Sequence, residues 1–402
     1  LQDVLGRIPP VLSARYRTTC YCHDIKNALL NCSVNANITY MAHLRNRALV
    51  SIFRKKMKLW PAVCLFGPRQ CGKTTFLKDI IFADAKLSYF TFDKSAIRRT
   101  ATKNPEAFLS TVGVWPLVID EAQKVPEVFD EIKALIDEKR IPGRFILSGS
   151  VKFSKKVEVR EALTGRSAHL YLDTMNFQET LQNSGGQTQS GNLAAVHRYL
   201  ERGGMPGVCF LHSKEERHSY WEEWLDTTCE IDLKNFSKGR LSSDLARQIL
   251  EVLAIETQPE AHVIAKKIGV DTRRVQNHLD ALKDLFLLRE ITPHPDAEQG
   301  KSLYYLFDSG LVHHLGGPLL KRFESYFLTE YFFYAQKTGD RRGTRLHYYR
   351  TRGGLIVNFL TKDQAFFFSE DNHLSKNSLK SIHAAQKRLP KHQVAVFLNS
   401  GQ

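Results

Sequence analysis

Eight consecutive residues, Gly67-Pro68-Arg69-Gln70-Cys71-Gly72-Lys73-Thr74, constrain this chain more than anything else in it. They fit the pattern G-x-x-x-x-G-K-[ST], and they lie between an apolar run and a helix-like segment, where such a loop has to sit. The glycines let the backbone wrap round phosphates with its N–H groups inward, and the following helix adds its positive end. The expected phosphate cradle is Gly67, Pro68, Arg69, Gln70, Cys71, Gly72, Lys73, Thr74 and Thr75. Lys73 is expected to reach the β and γ phosphates of a nucleotide, and Thr74 to hold Mg²⁺. The plainer reading is a glycine-rich structural turn.

A phosphate loop needs a second acidic group for the metal, and Pro116-Leu117-Val118-Ile119-Asp120-Glu121 supplies one at the end of an apolar strand. Asp120 is expected to orient a Mg²⁺-bound water, and Glu121 to polarise the water that attacks. Against this stands an ordinary acidic helix cap. Ser148, after the strand Phe145 to Leu147, is the sensor candidate for the γ-phosphate, with a Ser/Gly turn as the alternative. Arg166 offers a planar fork to phosphate, within its own subunit or across an oligomer interface, and a structural ion pair is the competing role. Cys71 has no catalytic task assigned, although its oxidation or alkylation would block the nucleotide sterically.

The rest of the chain reads as a multidomain α/β protein. At 402 residues, 43% hydrophobic and 25% charged, its composition is globular and excludes collagen, a coiled-coil rod and wholesale disorder. No run approaches the ~18 apolar residues of a spanning helix, and no signal-peptide pattern opens the sequence, so the expectation is a cytoplasmic protein without a membrane partner. Seven scattered cysteines suit reduced thiols. The net charge of +15 resides at the two ends, since residues 1–60 hold 10 Lys/Arg against 2 Asp/Glu and residues 321–402 hold 14 against 6. Basic ends attract polyanions such as nucleic acid; a solvated basic surface is the alternative.

From Pro61, short apolar runs alternate with helix-like segments. Strands are expected at 62–66, 87–92, 117–119, 145–147 and 169–172, and helices at 73–82, 105–110 and 125–139. Ser184 to Gly191 reads as a surface loop or domain edge. Residues 1–40 show no sustained period and precede Met41, which heads a basic stretch. The expectation is translation from Met41, with residues 1–40 an upstream extension. Cys20, Cys22, His23 and Cys32 lack paired zinc-ligand spacing.

Taken together, GPRQCGKTT, PLVIDEAQKVP, FILSGS and LTGR, in that order, resemble the prokaryotic AAA-type P-loop ATPases that carry a C-terminal domain of unknown function. The resemblance continues through Gly203-Gly204-Met205-Pro206, the segment around Asp232, residues 306–311, Phe323-Glu324 and residues 348–351. It implies ATP and Mg²⁺ as ligands and an α/β fold. The implied architecture is a P-loop NTPase (AAA-like) parallel sheet core, followed by a helical winged-helix domain and an α+β restriction-endonuclease-like C-terminal domain. The implied units are an AAA-like core at 41–178, a helical connector at 179–238, a winged-helix domain at 239–318 and a degenerate nuclease-like domain at 319–402. Adenine over guanine rests on the resemblance alone.

The downstream residues bear on this picture independently. Residues 245–255, 262–268 and 271–287 read as three helices, the third capped by Asp271-Thr272 and buried through Val275, Leu279 and Leu282. Arg273, Arg274, Gln276 and Asn277 are left outward near its start as candidate contacts to double-stranded DNA; docking to a protein is the alternative. His278 reads as a surface or packing residue. In the C-terminal segment Glu324 is kept, but Asn358 stands where the family usually carries Asp, and no Glu-x-Lys follows; Glu370 and Asp371 are the remaining substitutes. Nuclease activity is therefore not expected. His212, His218, His313 and His314 lack a third metal ligand in the sequence, and Trp221 and Trp224 read as a core face. The leading expectation is an enzyme, an ATPase that drives or gates movement of its downstream domains. The alternative is a nucleotide-gated DNA-binding or adaptor protein with little turnover, and a homo-oligomer suits either.

Overall fold

The computed structural model describes residues 44–83, 85–152, 162–182, 191–339, 345–369, 376–390 and 392–398. Residues 1–40, with their cysteine cluster, and Glu370 and Asp371 lie outside them, as does nearly all of the Ser184–Gly191 segment.

Alternation along one strand sets the layers of the first unit. In β1 (Ala62–Phe66) every residue is buried, so neither face meets water, as expected for a central parallel strand. Ala62, Cys64 and Phe66 pack with α3 (Ser95–Lys103), α4 (Pro105–Ser110) and α5 (Val128–Glu138) on one face. Val63 and Leu65 pack with Leu49, with Phe53 of α1 (Val50–Met57), and with Phe76 and Leu77 of α2 on the other. α2 is α-helical over Lys73–Thr75 and π-helical over Phe76–Ile81. The sheet runs in the order β2 (Ser88–Thr91), β3 (Leu117–Asp120), β4 (Phe145–Gly149), β1, β5 (Ser167–Tyr171), and every pair is parallel.

Several expected boundaries move. β4 runs on to Gly149, so Ser148 lies within a strand. β5 begins at Ser167, and a 3-10 turn over Ala122–Lys124 delays α5 to Val128. α3 was not anticipated; it buries only Ala101 fully, so its sequence carries little apolar signal.

Beyond the sheet come α6 (Phe177–Thr180), α7 (Leu193–Arg202) and α8 (Lys214–Asp226), which passes through a π-helical turn, Thr227–Asp232, into α9 (Leu233–Ser237). Next, α10 (Ser243–Ile255), α11 (Ala261–Ile268) and α12 (Thr272–Asp284) share one core with Trp221 and Trp224. β6 (Leu288–Pro293) and β7 (Leu303–Leu306) follow as an antiparallel pair. The third helix ends earlier than expected, because Phe286 takes φ 63° and turns the chain into β6. After α13 (Ser309–His314) and α14 (Leu319–Thr338) come β8 (His347–Arg350), β9 (Ile356–Leu360), β10 (Gln364–Ser369), α15 (Lys376–Arg388) and β11 (Gln393–Leu398). These strands join the hairpin in a six-stranded sheet of order β11-β10-β9-β8-β6-β7. α14 covers one face through Phe327 and Leu328, and α15 covers the other through Ile382 and Ala385. No described helix is long and apolar enough to cross a membrane.

Candidate functional site

β1 delivers its following loop to the C-terminal edge of the parallel sheet, and the loop closes there only because two positions are glycine. A Cβ on Gly67 would lie 1.9 Å from the carbonyl oxygen of Leu172, and Gly72 takes φ 94° as the chain enters α2. Arg47 straps the loop from behind, donating at 2.9 Å to the Cys71 carbonyl and at 3.0 Å to Glu179 in a buried ion pair. Lys73 is buried, and its ammonium donates to the carbonyls of Gly67 (2.9 Å) and Pro68 (2.8 Å). The first N–H groups of a helix have no intrahelical acceptor, so the start of α2 carries donors and a positive dipole end for phosphate.

Asp120 ends β3 beside this loop, 5% exposed. Its Oδ2 accepts from Thr74 Oγ1 at 2.7 Å and Tyr89 OH at 2.6 Å, and its Oδ1 from Ser148 Oγ at 2.6 Å. Burial works to raise its pKa, but the three hydroxyls and the Lys73 charge outweigh burial and hold the carboxyl below its ordinary value. The Tyr89 phenol is pushed up by burial and by the carboxylate it donates to. A hydroxyl and a carboxylate oxygen side by side form a hard-oxygen donor set that suits Mg²⁺.

Glu121 follows in a left-handed conformation, φ 56°, which for a glutamate stores strain of the kind found at working sites. Its carboxylate accepts from Ser150 Oγ at 3.0 Å and from Gln123 Nε2. Asp120, Glu121, Lys73, Thr74 and Ser148 thus converge. Ser148, however, is fully buried and spends its hydroxyl on Asp120, so it positions that carboxylate and is not free to sense phosphate itself.

Arg166 corrects a second expectation. Its carbonyl accepts from the N–H of Ala62, at the start of β1, so it lies at the edge of the sheet opposite the phosphate loop. Five strand residues at about 3.3 Å each, roughly 16 Å, separate the two. Its guanidinium holds Asp137 through two bonds of 2.7 Å. That placement, with the Asp137 pair, matches the competing structural role and sets Arg166 at the far end of the sheet from the phosphate loop of its own subunit. Cys71 corrects a third: its thiol is buried, donates to the Leu172 carbonyl at 3.1 Å, and is pushed up by burial, so it is poorly placed for oxidation or alkylation.

Other contacts to the site were not found in the sequence. Arg69 pairs with Asp232 at 2.6 Å, and Gln70 accepts from Tyr220 OH at 2.8 Å, so α8 and its π-helical turn touch the phosphate loop twice. Burial raises the pKa of Asp232, Arg69 opposes the shift, and the charge on Glu121 adds to it. Gln70 takes φ 62°, a second left-handed non-glycine residue here. Pro206 Cγ lies 3.9 Å from the position of a Cβ on Gly72.

On α12, Asp271 caps the helix by accepting from Arg273 N at 2.8 Å, and Arg273, Arg274 and Asn277 are exposed. Gln276 differs from expectation: its amide is spent on Tyr304 OH of the hairpin at 2.9 Å. His278 is a packing residue, accepting from Ser242 N. Glu324, on α14, meets Lys321 at 2.9 Å, and Asn358 donates to it at 3.4 Å while accepting from Phe368 N.

Comparison with known proteins agrees with the geometry of the first unit. Residues 60–181 match the family described as AAA domain, and residues 193–322 match a domain of unknown function (DUF8612). Two relatives named only as uncharacterized proteins, from Mycobacterium bovis and Mycobacterium tuberculosis, are each 27% identical over 281 residues, 68% of this chain. The match spans 60% of the length of either relative. Among solved structures, a Signal Transduction ATPase with Numerous Domains from Pyrococcus horikoshii, a protein with a tetratricopeptide repeat sensor, shows 12% identity and a TM-score of 0.30, covering 75% of this chain and 47% of that one. The match over residues 60–181, the parallel sheet and the phosphate loop together make the first unit an AAA-type P-loop core.

Proposed function

We propose that this chain hydrolyses Mg-ATP and uses the cycle to reposition its downstream units. The observation that carries the reading is the 2.7 Å bond between Thr74 and Asp120, which brings the two metal-holding oxygens together at the mouth of the phosphate loop. Mg²⁺ held there would neutralise charge on the β and γ phosphates. Lys73 leaves the carbonyls of Gly67 and Pro68 for the phosphates, and the α2 N-terminus binds the same charge through backbone N–H groups. Glu121 takes the proton of the attacking water as the bond from γ-phosphorus to the bridging oxygen breaks. Tyr220 and Asp232 give the loop's state a route to the next unit, since both contact loop residues and belong to the segment that packs with α10 and α13.

In this proposal the helix trio and hairpin are a winged helix, and the six-stranded layer is a restriction-endonuclease-like fold that has lost its chemistry. Three successive helices followed by an antiparallel pair support the first assignment. For the second, the support is a Glu324 already engaged by Lys321 and Asn358. Arg273, Arg274 and Asn277 offer duplex DNA an exposed basic helix start. A partner protein is the other candidate, and Arg166 reaches a nucleotide only if a second subunit presents one at that edge.

A second reading, a nucleotide-gated adaptor with little turnover, draws on a different observation: Glu121 is held by Ser150 and Gln123 rather than free toward water. Phosphate release from Mg²⁺-ATP and Mg²⁺-GTP by wild type, Lys73→Ala and Glu121→Gln, with and without duplex DNA at two salt concentrations, separates them. Turnover that is lost in both variants establishes the enzyme, and stimulation by DNA that fades with salt establishes a phosphate-contacting surface. Bound ATP with no turnover under any condition establishes the adaptor.

A further inference from the structure

Two of the histidines that lacked a third ligand in the sequence, His218 and His314, acquire one in the fold. α8 carries His218 and Glu222 one turn apart on the same face. His314, the last residue of α13, comes up against them. Its Nε2 lies 2.7 Å from Glu222 Oε1, and the rings of His218 and His314 are 4.9 Å apart between centroids. One ligating atom from each of the three residues falls within 4.8 Å of the other two. The second Glu222 oxygen is held by Arg247.

We propose that His218, Glu222 and His314 bind a zinc-class transition-metal dication at the seam between α8 and α13. Two imidazole nitrogens and one carboxylate oxygen suit Zn²⁺, Co²⁺ or Ni²⁺, whereas Mg²⁺ and Ca²⁺ prefer all-oxygen sets. Ligand atoms about 2.0–2.1 Å from a tetrahedral ion lie roughly 3.4 Å from one another. Closing on the ion therefore asks for a small spread of the Glu222–His314 pair and a rotation of His218, whose side chain is exposed. Arg247 on the outer carboxylate oxygen is the kind of partner that orients a ligating carboxylate, and its charge is shared with Asp226 at 2.8 Å and Glu251 at 3.6 Å. Three protein ligands leave a fourth position for water.

The position gives such an ion leverage. Tyr220, two residues from His218, donates to Gln70 of the phosphate loop, and the same helical segment ends at Asp232 on Arg69. A metal spanning α8 and α13 pins the helix that touches the loop to the element that follows the hairpin. That regulatory consequence rests on the proposed ATPase reading; the binding itself does not.

The test uses the full chain without an affinity tag, stripped of metal and free of nucleotide. Co²⁺ is titrated while visible absorption is followed, Zn²⁺ then competes, and Mg²⁺ serves as control. The expected result is one Co²⁺ per chain with d–d bands of low coordination number, displaced by Zn²⁺ and untouched by excess Mg²⁺, with a rise in melting temperature. His218→Ala, which changes only an exposed side chain, should keep the metal-free melting temperature and lose at least about tenfold in affinity. Glu222→Gln, in the same assay, should lose affinity as well. Equal Co²⁺ uptake by wild type and His218→Ala, or no stoichiometric uptake by wild type, overturns the proposal. Because the readout is metal uptake, a chain that turns over no ATP still passes or fails.

Discussion

Two buried acids in this molecule have opposite fates. Asp120 and Glu324 are almost equally hidden, 5% and 3% exposed. Asp120 sits at the end of a strand and is met by three hydroxyls, from Thr74, Tyr89 and Ser148, all neutral donors that a cation can join or replace. Glu324 sits within α14 and is met by a lysine of its own helix, Lys321, in an ion pair of 2.9 Å that is not a directed hydrogen bond. Lys321 also lies over the Tyr305 ring, 4.5 Å from its centroid. Burial alone therefore does not mark a metal site. What matters is whether a positive charge meets the carboxylate directly, as Lys321 meets Glu324, or acts on it from a distance, as Lys73 acts on Asp120.

The sharpest way to break this comparison is to remove the two sites in turn and watch phosphate release. Lys73→Ala or Asp120→Asn should lower ATP turnover by roughly 10³-fold, while Glu324→Gln should leave it within about twofold. Comparable losses at both sites would mean that the C-terminal layer contributes to the chemistry. Stability should show the reverse asymmetry. Glu324→Gln strands a buried ammonium and should cost about 4 kcal/mol in urea unfolding; the pair Lys321→Met with Glu324→Leu should recover most of that. If the double variant is as unstable as the single one, the charges do more than neutralise each other.

A third buried acid, Glu330 on α14, sharpens the comparison because, among the described residues, no hydroxyl or lysine is hydrogen-bonded to it and its donor is the Phe177 N–H. Burial pushes its pKa up to about 7, the Phe177 N–H at 2.7 Å and the charge on Arg289 pull down, and Glu179 adds to the rise. Since the folded value exceeds the unfolded one, the native state holds the extra proton between about pH 4.5 and 7. The associated stability is complete below the unfolded value and is lost as pH rises through 7. Glu330→Gln should flatten that decline and be more stable than wild type at pH 8 by roughly 3 kcal/mol. Chemical melts at pH 5 and pH 8 decide it, and an unchanged slope sinks the assignment. The smallest effect should come from Tyr220→Phe, which deletes only the hydroxyl on Gln70. About 1 kcal/mol of loop-to-helix coupling is expected, read as a several-fold change in ATP affinity with Lys73 intact.

The phosphate loop and its acidic partner were legible in the sequence because each is a local pattern. β1 and α4 fall where the apolar runs and the Asn104-Pro105 start place them. The pairings of Tyr89, Tyr220, Asp232 and Arg47 were not legible, although the segment around Asp232 belongs to the resemblance, because the partners lie 31, 150, 163 and 24 positions away and nothing nearby records them. For Arg166 the sequence left a phosphate role and a structural ion pair open, for a related reason. An arginine beside a glycine in a phosphate-binding chain suggests an anion, but only the strand register shows which end of the sheet it occupies. Gln276 looked outward by helical period, and only the hairpin's return brings Tyr304 within reach.

The pairing of β6 with β8, Thr292 to His347 and Pro293 to Tyr348, has a mechanical consequence. Backbone hydrogen bonds run from β7 to β11 without a break, so torque applied at the hairpin is not dissipated in a linker. Five inter-strand spacings of about 4.8 Å make an arm of roughly 24 Å, so a 10° swing at β7 sweeps the far edge through about 4 Å. The terminal strands are thus the tip of a stiff lever whose fulcrum, the β6–β7 hairpin, is tied to the first unit by the ion pair of Arg289 with Asp173.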